Sequence, residues 1–586
     1  MNHPIITDPK RIDRRAGVKA VQAGKPALLS ACSLNRCQSG GAPTDRPSFF
    51  LRCQLAIGCL LAIFAGLFST DARAGDQAKP MPEIVKNDGR FALFVDGAPF
   101  LILGAQCHNS SAWPAMLPKV WPAIDYLHAN TLEIPIYWEQ FEPEPGRYDP
   151  SIVDLIIKQA RERRIRLVLL WFATWKNGSS HYIPLWAKAQ PDKFPLMIGK
   201  NGESVDSPSP HSPTALQADL SAFRAFMRHL KQVDAERTVI MVQVENEPGT
   251  WGSVRDFSPA AAKLFDETVP AELLAALGTN APAGANWTAA FGADADEYFH
   301  AWSVAHFVGQ VAAAGKKEYP LPMYANAALR DPLTPGPAST YESGGPTDNV
   351  LGIWKAAAPA LDVLAPDIYQ HESARYRKAL ELYARPDNAL LVPETGGPAG
   401  YPRLCFAALG LGAIGWAPFG LDYTSYSTEP QGAPRMSDEA LAPIALNYKM
   451  LEPMMREVAR LNFEGKLQAI AEEPGQARQT MDFGGWKAVV TFGAGGRNNS
   501  TRGNDTPVGR ALIAQLGESD FLVAGVYGKI DFTSSTGRKR SFRRVEEGGY
   551  EGGVFKPIRI WNGDETDYGL SFFSAPQILR VALSTY

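Results

Sequence analysis

The chain has 586 residues, of which 45% are hydrophobic and 20% are charged, so it is long enough for two or three globular domains. Its net charge is -3, but residues 1–75 carry ten Lys/Arg and four Asp/Glu, which leaves -9 on the remainder. A body without an excess of cations is not expected to bind nucleic acid.

Residues 1–74 are predicted to be a leader that contains a signal peptide. An uncharged apolar stretch, Cys53–Ser69, follows Arg46 and Arg52, and residues 72–74 (Ala-Arg-Ala) fit the small-x-small rule for cleavage. The stretch is short for a membrane-spanning helix, so cleavage is expected rather than stable membrane insertion, with a retained anchor as the alternative. The protein is therefore expected to be exported, to a periplasm or out of the cell.

Eight strand-like apolar runs lie between Phe91 and Gly420, separated by longer segments. Their apolarity is continuous rather than alternating, as in parallel strands that are buried on both faces. Amphipathic stretches such as Ser151–Arg164 and Ala215–Asp234 predict helices between them. Eight strand–helix units predict a TIM (β/α)8 barrel. The predicted strands are Phe100–Gln106, Thr131–Trp138, Ile165–Phe172, Thr238–Glu247, Leu321–Ala328, Val363–Tyr369, Ala389–Gly396 and Ala413–Gly420.

The pattern changes after a closing helix predicted at Ala440–Leu461. Short strands separated by Gly, Asp and Asn turns predict an antiparallel β-sandwich-like domain at residues 461–586. The barrel is assigned to residues 91–460 as the catalytic domain, and residues 75–90 are interpreted as a linker. The basic run Gly537–Arg544 is interpreted as a solvated hairpin. The predicted C-terminal strands are Trp486–Phe492, Ala511–Leu516, Phe521–Phe532, Pro557–Gly563 and Gln577–Leu583.

Two glutamates end predicted barrel strands. Glu247 ends the fourth strand in "VQVENEPGT", and Glu394 ends the seventh in "VPETGG". Catalytic groups of a TIM barrel project from the carboxyl ends of its strands, so both side chains should face one crevice. Such a pair can cleave a glycosidic bond, because a protonated carboxyl expels the leaving oxygen while an ionised one attacks the sugar carbon. The alternative is that each glutamate is merely a hydrated strand end.

At these residues the chain resembles the β-galactosidases of glycoside hydrolase family 35. The resemblance covers about residues 85–460. It is carried by "LFVDGAPFLILGAQ" (Leu93–Gln106), by "NTLEIPIYWEQFEPEPGRYD" (Asn130–Asp149) and by "QVENEPG" (Gln243–Gly249). The C-terminal β domain resembles the one that accompanies a bacterial subset of the family.

The resemblance implies a retaining exo-enzyme with Glu247 as acid/base and Glu394 as nucleophile. It also implies that Asn246 contacts the 2-hydroxyl of the sugar. The implied substrate is a carbohydrate that ends in β-galactose, such as a side chain of plant xyloglucan. Retention requires carboxyl groups about 5–5.5 Å apart, and the charge of the nucleophile should raise the pKa of the acid.

No cofactor or metal is expected. The sequence contains no H-E-x-x-H, no paired C-x-x-C and no EF-hand loop. It does not indicate an oligomeric state.

Further side chains near the predicted strand ends are expected to bind the sugar, because such pockets combine aromatic rings with a few convergent polar groups. Tyr369 is expected to hydrogen-bond Glu394, and Trp251 is expected to form the floor of an outer subsite. Alternatives remain open, namely barrel core for the aromatics, a turn at residues 176–178 and a core histidine at position 108. The predicted substrate-binding residues are Asn246, Tyr369, Glu139, Tyr137, Trp171, Lys176, Asn177, Trp251, Asn326 and His108.

The chain departs from the family pattern at several sugar-holding positions. Pro248 replaces a common Tyr, Glu139 replaces an Asn, Asn109 replaces a Tyr and Thr174 replaces a Glu. These departures leave two alternatives open. One is another retaining glycosidase on the same barrel, either an endo-β-glucanase or an arabinosidase. The other is a non-catalytic carbohydrate-binding protein.

Overall fold

A computed structural model describes most of the chain beyond the predicted leader, and residues 76–586 form one compact unit. The predicted signal peptide and its cleavage site lie outside the described residues. Among the residues described, no helix is long and apolar enough to cross a membrane. The described residues are 79–282, 284–397, 400–427, 435–493 and 503–586.

Eight parallel strands close into a barrel in chain order, and the eighth pairs with the first through Trp416 and Leu103. Nearly every strand residue is buried, which explains the unbroken apolarity of the eight runs. The predicted TIM barrel is thus confirmed. Its strands are Ile102–Gln106, Thr131–Tyr137, Arg166–Lys176, Val239–Asn246, Met323–Ala328, Val363–Ile368, Leu391–Thr395 and Gly415–Pro418.

Helices connect the strands and cover the barrel. The helix before the fourth strand begins at Pro213, where the hydroxyl of Ser212 accepts a hydrogen bond from the backbone N–H of Ala215 at 3.1 Å. The predicted closing helix is two helices, because Pro453 lacks an N–H and lies in the 3-10 turn between them. The larger helices are Leu117–Leu127, Ser151–Arg163, Pro213–Val233, Ala295–Glu318, Leu351–Ala357, Ser373–Tyr383, Leu404–Gly410, Asp438–Leu451 and Met455–Phe463.

Additional elements decorate the two ends of the barrel. Glu83–Asn87, within the predicted linker, is the first strand of a three-stranded antiparallel sheet with Arg90–Val95 and Ala98–Phe100. The segments after the second, third and fourth barrel strands carry short elements of their own. These are the helices Trp138–Phe141, Leu185–Lys188, Pro259–Phe265, Ala271–Leu277 and Trp287–Phe291, and the paired strands Leu196–Ile198 and Ser204–Pro208.

Two antiparallel sheets form the C-terminal region, which confirms the predicted β-sandwich-like architecture. Phe521, Phe532 and neighbouring apolar side chains fill the space between the sheets. Leu512 and Leu522, on the other face of the larger sheet, belong to the core of the barrel. The larger sheet contains, in spatial order, Leu467–Ala471, Arg510–Gln515, Asp520–Val526, Gln577–Thr585, Arg540–Glu551 and Val554–Ile560, and the smaller one Arg478–Asp482, Trp486–Phe492, Gly528–Ser534 and Leu570–Phe572.

Two C-terminal expectations change in detail. The predicted strand Phe521–Phe532 is two strands, because Tyr527 takes a left-handed conformation (φ 55°) that turns the chain from one sheet into the other. The basic run begins in a turn and continues into the strand Arg540–Glu551. Arg540 pairs with Asp531 at 2.7 Å, so part of this basic charge is neutralised within the β region.

Candidate active site

The fourth barrel strand ends in unusual backbone geometry. Glu245 (φ 63°) and Glu247 (φ 45°) both adopt the left-handed region, which is rare for residues other than glycine. The backbone N–H of Glu247 donates to Oδ1 of Asn326, on the next strand, at 2.9 Å. Strained conformations of this kind persist only where surrounding contacts hold them, and they are concentrated at functional sites.

Three carboxyl groups meet at the carboxyl end of the barrel. Oxygens of Glu247, Asp367 and Glu394 all lie within 4.8 Å of one another. Asp367 and Glu394 are aligned neighbours on the sixth and seventh strands, which brings their side chains together. The three residues are only 9%, 3% and 5% exposed, so the site holds more buried carboxyl groups than the sequence predicted.

Glu394 is held by two hydrogen-bond donors. The Tyr369 hydroxyl donates to Oε1 at 2.6 Å, as the sequence predicted, and Nε2 of Gln106 donates to Oε2 at 2.9 Å. Burial, and then the charge of Glu394, raise the pKa of Tyr369 well above its ordinary value, which keeps this hydroxyl protonated. Donors on both oxygens favour the ionised form of a carboxyl group.

The surroundings of Glu247 favour its protonated form. Burial, and then the charge of Glu394, raise its pKa from 4.5 to about 7, although Lys176 and a hydrogen bond with Asp367 act in the other direction. Burial and the charges of Glu394 and Glu247 also raise the pKa of Asp367 well above its ordinary value. The site therefore contains two carboxyl groups, Glu247 and Asp367, that retain their protons to higher pH than usual.

A buried cation lies beside this cluster. Lys176 is 3% exposed and stands at the end of the third strand, which continues four residues beyond its predicted end. Its ammonium donates to Oδ1 of Asn177. With the Asn246 amide oriented so that its oxygen faces the ammonium, the second contact is 3.0 Å. Three predicted residues, Lys176, Asn177 and Asn246, thus form one polar group next to the carboxyl cluster.

Asn326 links two of the carboxyl residues. Its Oδ1 accepts from the backbone of Glu247, and its Nδ2 donates to Oδ2 of Asp367 at 2.5 Å. The sequence predicted Asn326 as a sugar ligand. In the structure its amide contacts both acidic residues, and its role as a sugar ligand stays a prediction.

Two predicted aromatic residues are buried and engaged by other parts of the protein. Trp171 is fully buried and stacks on Phe226 of a surrounding helix at 5.3 Å, because its side chain leaves the strand on the outer face of the barrel. We correct its assignment to barrel–helix packing. Tyr137 is 2% exposed, stacks on Tyr182 at 5.3 Å, and accepts from the backbone N–H of Ala112 at 3.2 Å. Its hydroxyl is thus already engaged within the protein.

The remaining predicted residues differ in their access to solvent. Nδ1 of His108 lies 3.0 Å from Asp422, while its Nε2 is buried and without a hydrogen-bond partner among the described residues. Glu139 is half-buried after the second strand, and Trp251 is 48% exposed in the segment after the fourth. Of the predicted residues, Trp251 and Asn177 are exposed, and Glu139 is half-buried.

Sequence reasoning missed Gln106, Asp367 and Glu342. Gln106 and Asp367 stand at the ends of the first and sixth strands, so the rule that selected Glu247 and Glu394 applied to them as well. Glu342 lies in "YESGG", in the segment after the fifth strand, where no periodicity or strand end marks it.

The spacing of the three carboxyl groups is also one that a cation can bridge. Hydrogen-bond donors already engage the group, however, since Tyr369 and Gln106 contact Glu394 while Asn326 contacts Asp367. A bound cation would have to displace them, and we assign no metal to this site.

Comparison with known proteins finds one family match and two curated relatives. Residues 444–573 match the family described as "Domain of unknown function (DUF5597)", which includes the last helices and most of the two C-terminal sheets. Beta-galactosidase 13 of Arabidopsis thaliana is 26% identical over 152 residues, which are 24% of this chain and 17% of that protein. Beta-galactosidase of Xanthomonas manihotis is 28% identical over 167 residues, 27% of this chain and 25% of that protein.

The chain therefore spans a quarter or less of the length of these two curated relatives. Both bear out a resemblance to β-galactosidases, while membership of family 35 in particular stays a prediction. Solved structures with similar folds include a β-galactosidase from Bacillus circulans sp. alkalophilus (TM-score 0.45, 15% identity, 61% of this chain and 57% of that chain). Another is a β-galactosidase from the psychrophilic Marinomonas ef1 (TM-score 0.46, 13% identity, 64% and 62%). These similarities are remote.

Proposed function

We propose that the protein is a retaining exo-glycoside hydrolase of the family 35 type that releases terminal β-galactose from oligosaccharide or polysaccharide side chains. The observation that carries the proposal is the pair Glu247 and Glu394, whose carboxyl oxygens lie within 4.8 Å at the ends of the fourth and seventh strands. That spacing is in the range of retaining enzymes and shorter than the separation of about 6.5–9.5 Å that inverting enzymes need to admit an attacking water.

In the first step Glu247 gives its proton to the leaving oxygen while a carboxylate oxygen of Glu394 attacks the sugar carbon. The bond to the leaving group breaks, and a covalent glycosyl ester forms on Glu394. The raised pKa of Glu247, about 7, keeps the acid protonated at neutral pH. Tyr369 and Gln106 fix the direction of the attacking carboxylate, because each donates to one of its oxygens.

In the second step the roles reverse. Once Glu394 is esterified its negative charge is gone, so one of the two effects that raise the pKa of Glu247 disappears. The pKa of Glu247 then falls, and the group can take a proton from the attacking water. Water adds to the sugar carbon, the ester bond breaks, and Glu394 returns to its carboxylate form with net retention of configuration.

Neighbouring groups position this pair. We propose that Asn246 contacts the 2-hydroxyl of the sugar, since it stands between Lys176 and the acid and is the residue that the family pattern implies. Glu139 and Trp251 are proposed to contact outer parts of the substrate because both are accessible. The choice of galactose rests on the resemblance and on the curated relatives, and export rests on the leader sequence.

The first test is hydrolysis of a nitrophenyl glycoside panel containing β-galactoside, β-glucoside and α-arabinoside. The proposal expects preferential release from the β-galactoside, and an NMR time course should show the β-anomer as the first product. The Glu394→Gln variant, assayed in parallel, excludes a contaminating activity. Preference for another sugar would overturn the galactose assignment, and inactivity across the panel would favour an endo-enzyme or a binding protein.

A further inference from the structure

Glu342 is a buried carboxyl group whose hydrogen-bonding capacity is unused. It is 1% exposed, and neither Oε1 nor Oε2 has a hydrogen-bond partner among the residues that the structure describes. Burying such a group without partners is costly, and most buried polar groups in folded proteins are satisfied. A group of this kind calls for a partner outside the chain.

The backbone fixes Glu342 next to the loop that carries the acid. The N–H of Thr250 donates to the carbonyl of Ser343 at 2.8 Å, and the N–H of Ser343 donates back at 3.0 Å. Gly249 is close as well, since a Cβ atom at that position would lie 2.7 Å from Cγ of Glu342. Two backbone hydrogen bonds between Thr250 and Ser343 therefore hold Glu342 beside the segment that follows Glu247.

The carboxyl oxygens also approach the end of the third strand. A Cβ atom on Gly178 would lie 2.5 Å from Oε1 of Glu342 and 3.1 Å from Cδ1 of Trp251. The N–H of Gly178 in turn donates to the carbonyl of Glu247 at 3.0 Å. Glu342 and Trp251 thus both lie close to Gly178, which is itself hydrogen-bonded to the backbone of the acid Glu247.

Burial and the neighbouring acid favour the neutral form of Glu342. Burial, and then the charge of Glu247, raise its pKa well above the ordinary value, against the opposing effect of Lys176. A neutral carboxyl group both donates and accepts hydrogen bonds, which matches the hydroxyl groups of a sugar. The adjacent Trp251 indole, 48% exposed, offers an apolar face for the C–H groups of a sugar ring.

We propose that Glu342, together with Trp251, determines specificity by hydrogen-bonding a hydroxyl of a saccharide leaving group. The inference rests on the proposed function, because the acid Glu247 faces the leaving oxygen and Glu342 lies on the side of the acid. The carboxyl oxygens of Glu342 are buried in the structure, so the proposal requires the exposed Trp251 side chain to move aside for the hydroxyl. Aryl leaving groups have no hydroxyl to occupy this position.

The test compares two leaving groups in the full chain carrying Glu342→Leu. The substrates are 4-nitrophenyl β-galactoside and the β-galactosyl disaccharide that the unmodified protein hydrolyses best. We expect kcat/KM for the disaccharide to fall by about tenfold or more, the effect of losing one strong hydrogen bond, while kcat/KM for the aryl galactoside and its pH profile stay unchanged. Glu342→Gln, which can still donate and accept, should lose less.

Thermal unfolding provides the folding control. Replacing an unpartnered buried carboxyl group by an apolar side chain should leave Tm unchanged or raise it. The matched control is Glu297→Leu, since Glu297 accepts from Tyr341 at 2.6 Å and from Asn349 at 2.9 Å, and its loss should lower Tm. A purely structural Glu342 would behave like Glu297.

The outcomes separate this inference from the proposed function. If the unmodified protein cleaves the aryl galactoside but no disaccharide, or if Glu342→Leu weakens both substrates equally, the leaving-group role is wrong while the glycosidase proposal stands. If the unmodified protein cleaves neither substrate, both the proposed function and the leaving-group role of Glu342 are wrong. A loss confined to the disaccharide supports both.

Discussion

Glu245 and Glu247 stand two residues apart at the end of one barrel strand, yet their side chains belong to two different clusters of buried acidic residues. Glu245 is fully buried, accepts from the backbone N–H of Trp175 at 2.7 Å, and pairs with Asp219. Trp171 and Thr174 donate to Asp219 at 2.9 and 2.5 Å, and Oε1 of Glu245 is the one oxygen of this pair without a hydrogen-bond partner among the described residues.

The cluster around Glu247 leaves three carboxyl oxygens without a hydrogen-bond partner among the described residues, against one in the pair of Glu245 and Asp219. An oxygen of Asp367 and both oxygens of Glu342 have no hydrogen-bond partner among the described residues. Burial contributes first to the raised pKa of Glu245 and of Glu247 alike. A raised pKa therefore does not by itself identify a catalytic acid, and the difference lies in which groups the surrounding chain leaves for a substrate.

Replacing Glu394 should show the largest functional difference between the Glu247 cluster and the pair of Glu245 and Asp219. Glu394→Gln is expected to lower kcat by about 10⁴-fold, because an amide cannot form the glycosyl ester. Its stability should change little, since Tyr369 can donate to the amide oxygen. Enzyme assays with parallel thermal unfolding check this, and Glu245→Gln serves as the matched control, with kcat within a few-fold of the unmodified protein. Equal losses of kcat in both variants would show that the two clusters do not differ in their role in catalysis.

The proton on Glu247 should appear in the pH profile. The acid must be protonated and its pKa is about 7, so kcat/KM for an aryl galactoside should fall as the pH rises through about 7. Glu247→Gln should abolish this alkaline limb and lower kcat/KM for a disaccharide by about 10²–10⁴-fold. An alkaline limb that persists in Glu247→Gln would assign the acid to another residue, with Asp367 the first candidate.

Removing Glu245 should affect stability instead of chemistry. Glu245→Ala removes one of the partners of the buried Asp219, which keeps Trp171 and Thr174, and is expected to lower the free energy of unfolding by about 1–3 kcal/mol. Urea denaturation measures this change, and kcat/KM of the folded variant should remain within a few-fold. A large loss of kcat/KM at unchanged stability would place Glu245 in the catalytic group.

Lys176 provides a smaller test of the electrostatics. Its charge lowers the pKa of Glu247, of Asp367 and of Glu342. Lys176→Met should therefore raise the pKa of Glu247 and move the alkaline limb of kcat/KM to higher pH. A limb that moves to lower pH would contradict the sign of this interaction.

The sequence predicted the barrel well because its strands are buried on both faces and read as unbroken apolar runs. It failed where backbone conformation interrupts such a run. Tyr527 splits one apolar stretch into two strands, and Pro453 splits an amphipathic stretch into two helices. Strand Leu467–Ala471 was missed, because its residues alternate between buried and half-buried and it follows directly on a helix.

The sequence predicted only those site residues that lie at the ends of barrel strands. Glu247, Glu394 and the contact with Tyr369 followed from their positions at the ends of strands. Trp171 followed the same rule and was wrong, because a strand exposes alternate side chains to opposite faces and the rule does not say which face. Glu342 depends on a loop folding back over the acid, which no local pattern in the sequence encodes.

The most direct test of the account is to trap the nucleophile. A 2-deoxy-2-fluoro-galactoside with a good leaving group slows the second step, so a covalent intermediate accumulates and its attachment site can be found by mass spectrometry of peptides. The account predicts one label, on Glu394, and none in the Glu394→Gln variant. A label on Glu247 or Asp367, or full turnover of galactosides with no label at all, would contradict the assignment of Glu394 as the group that attacks the sugar.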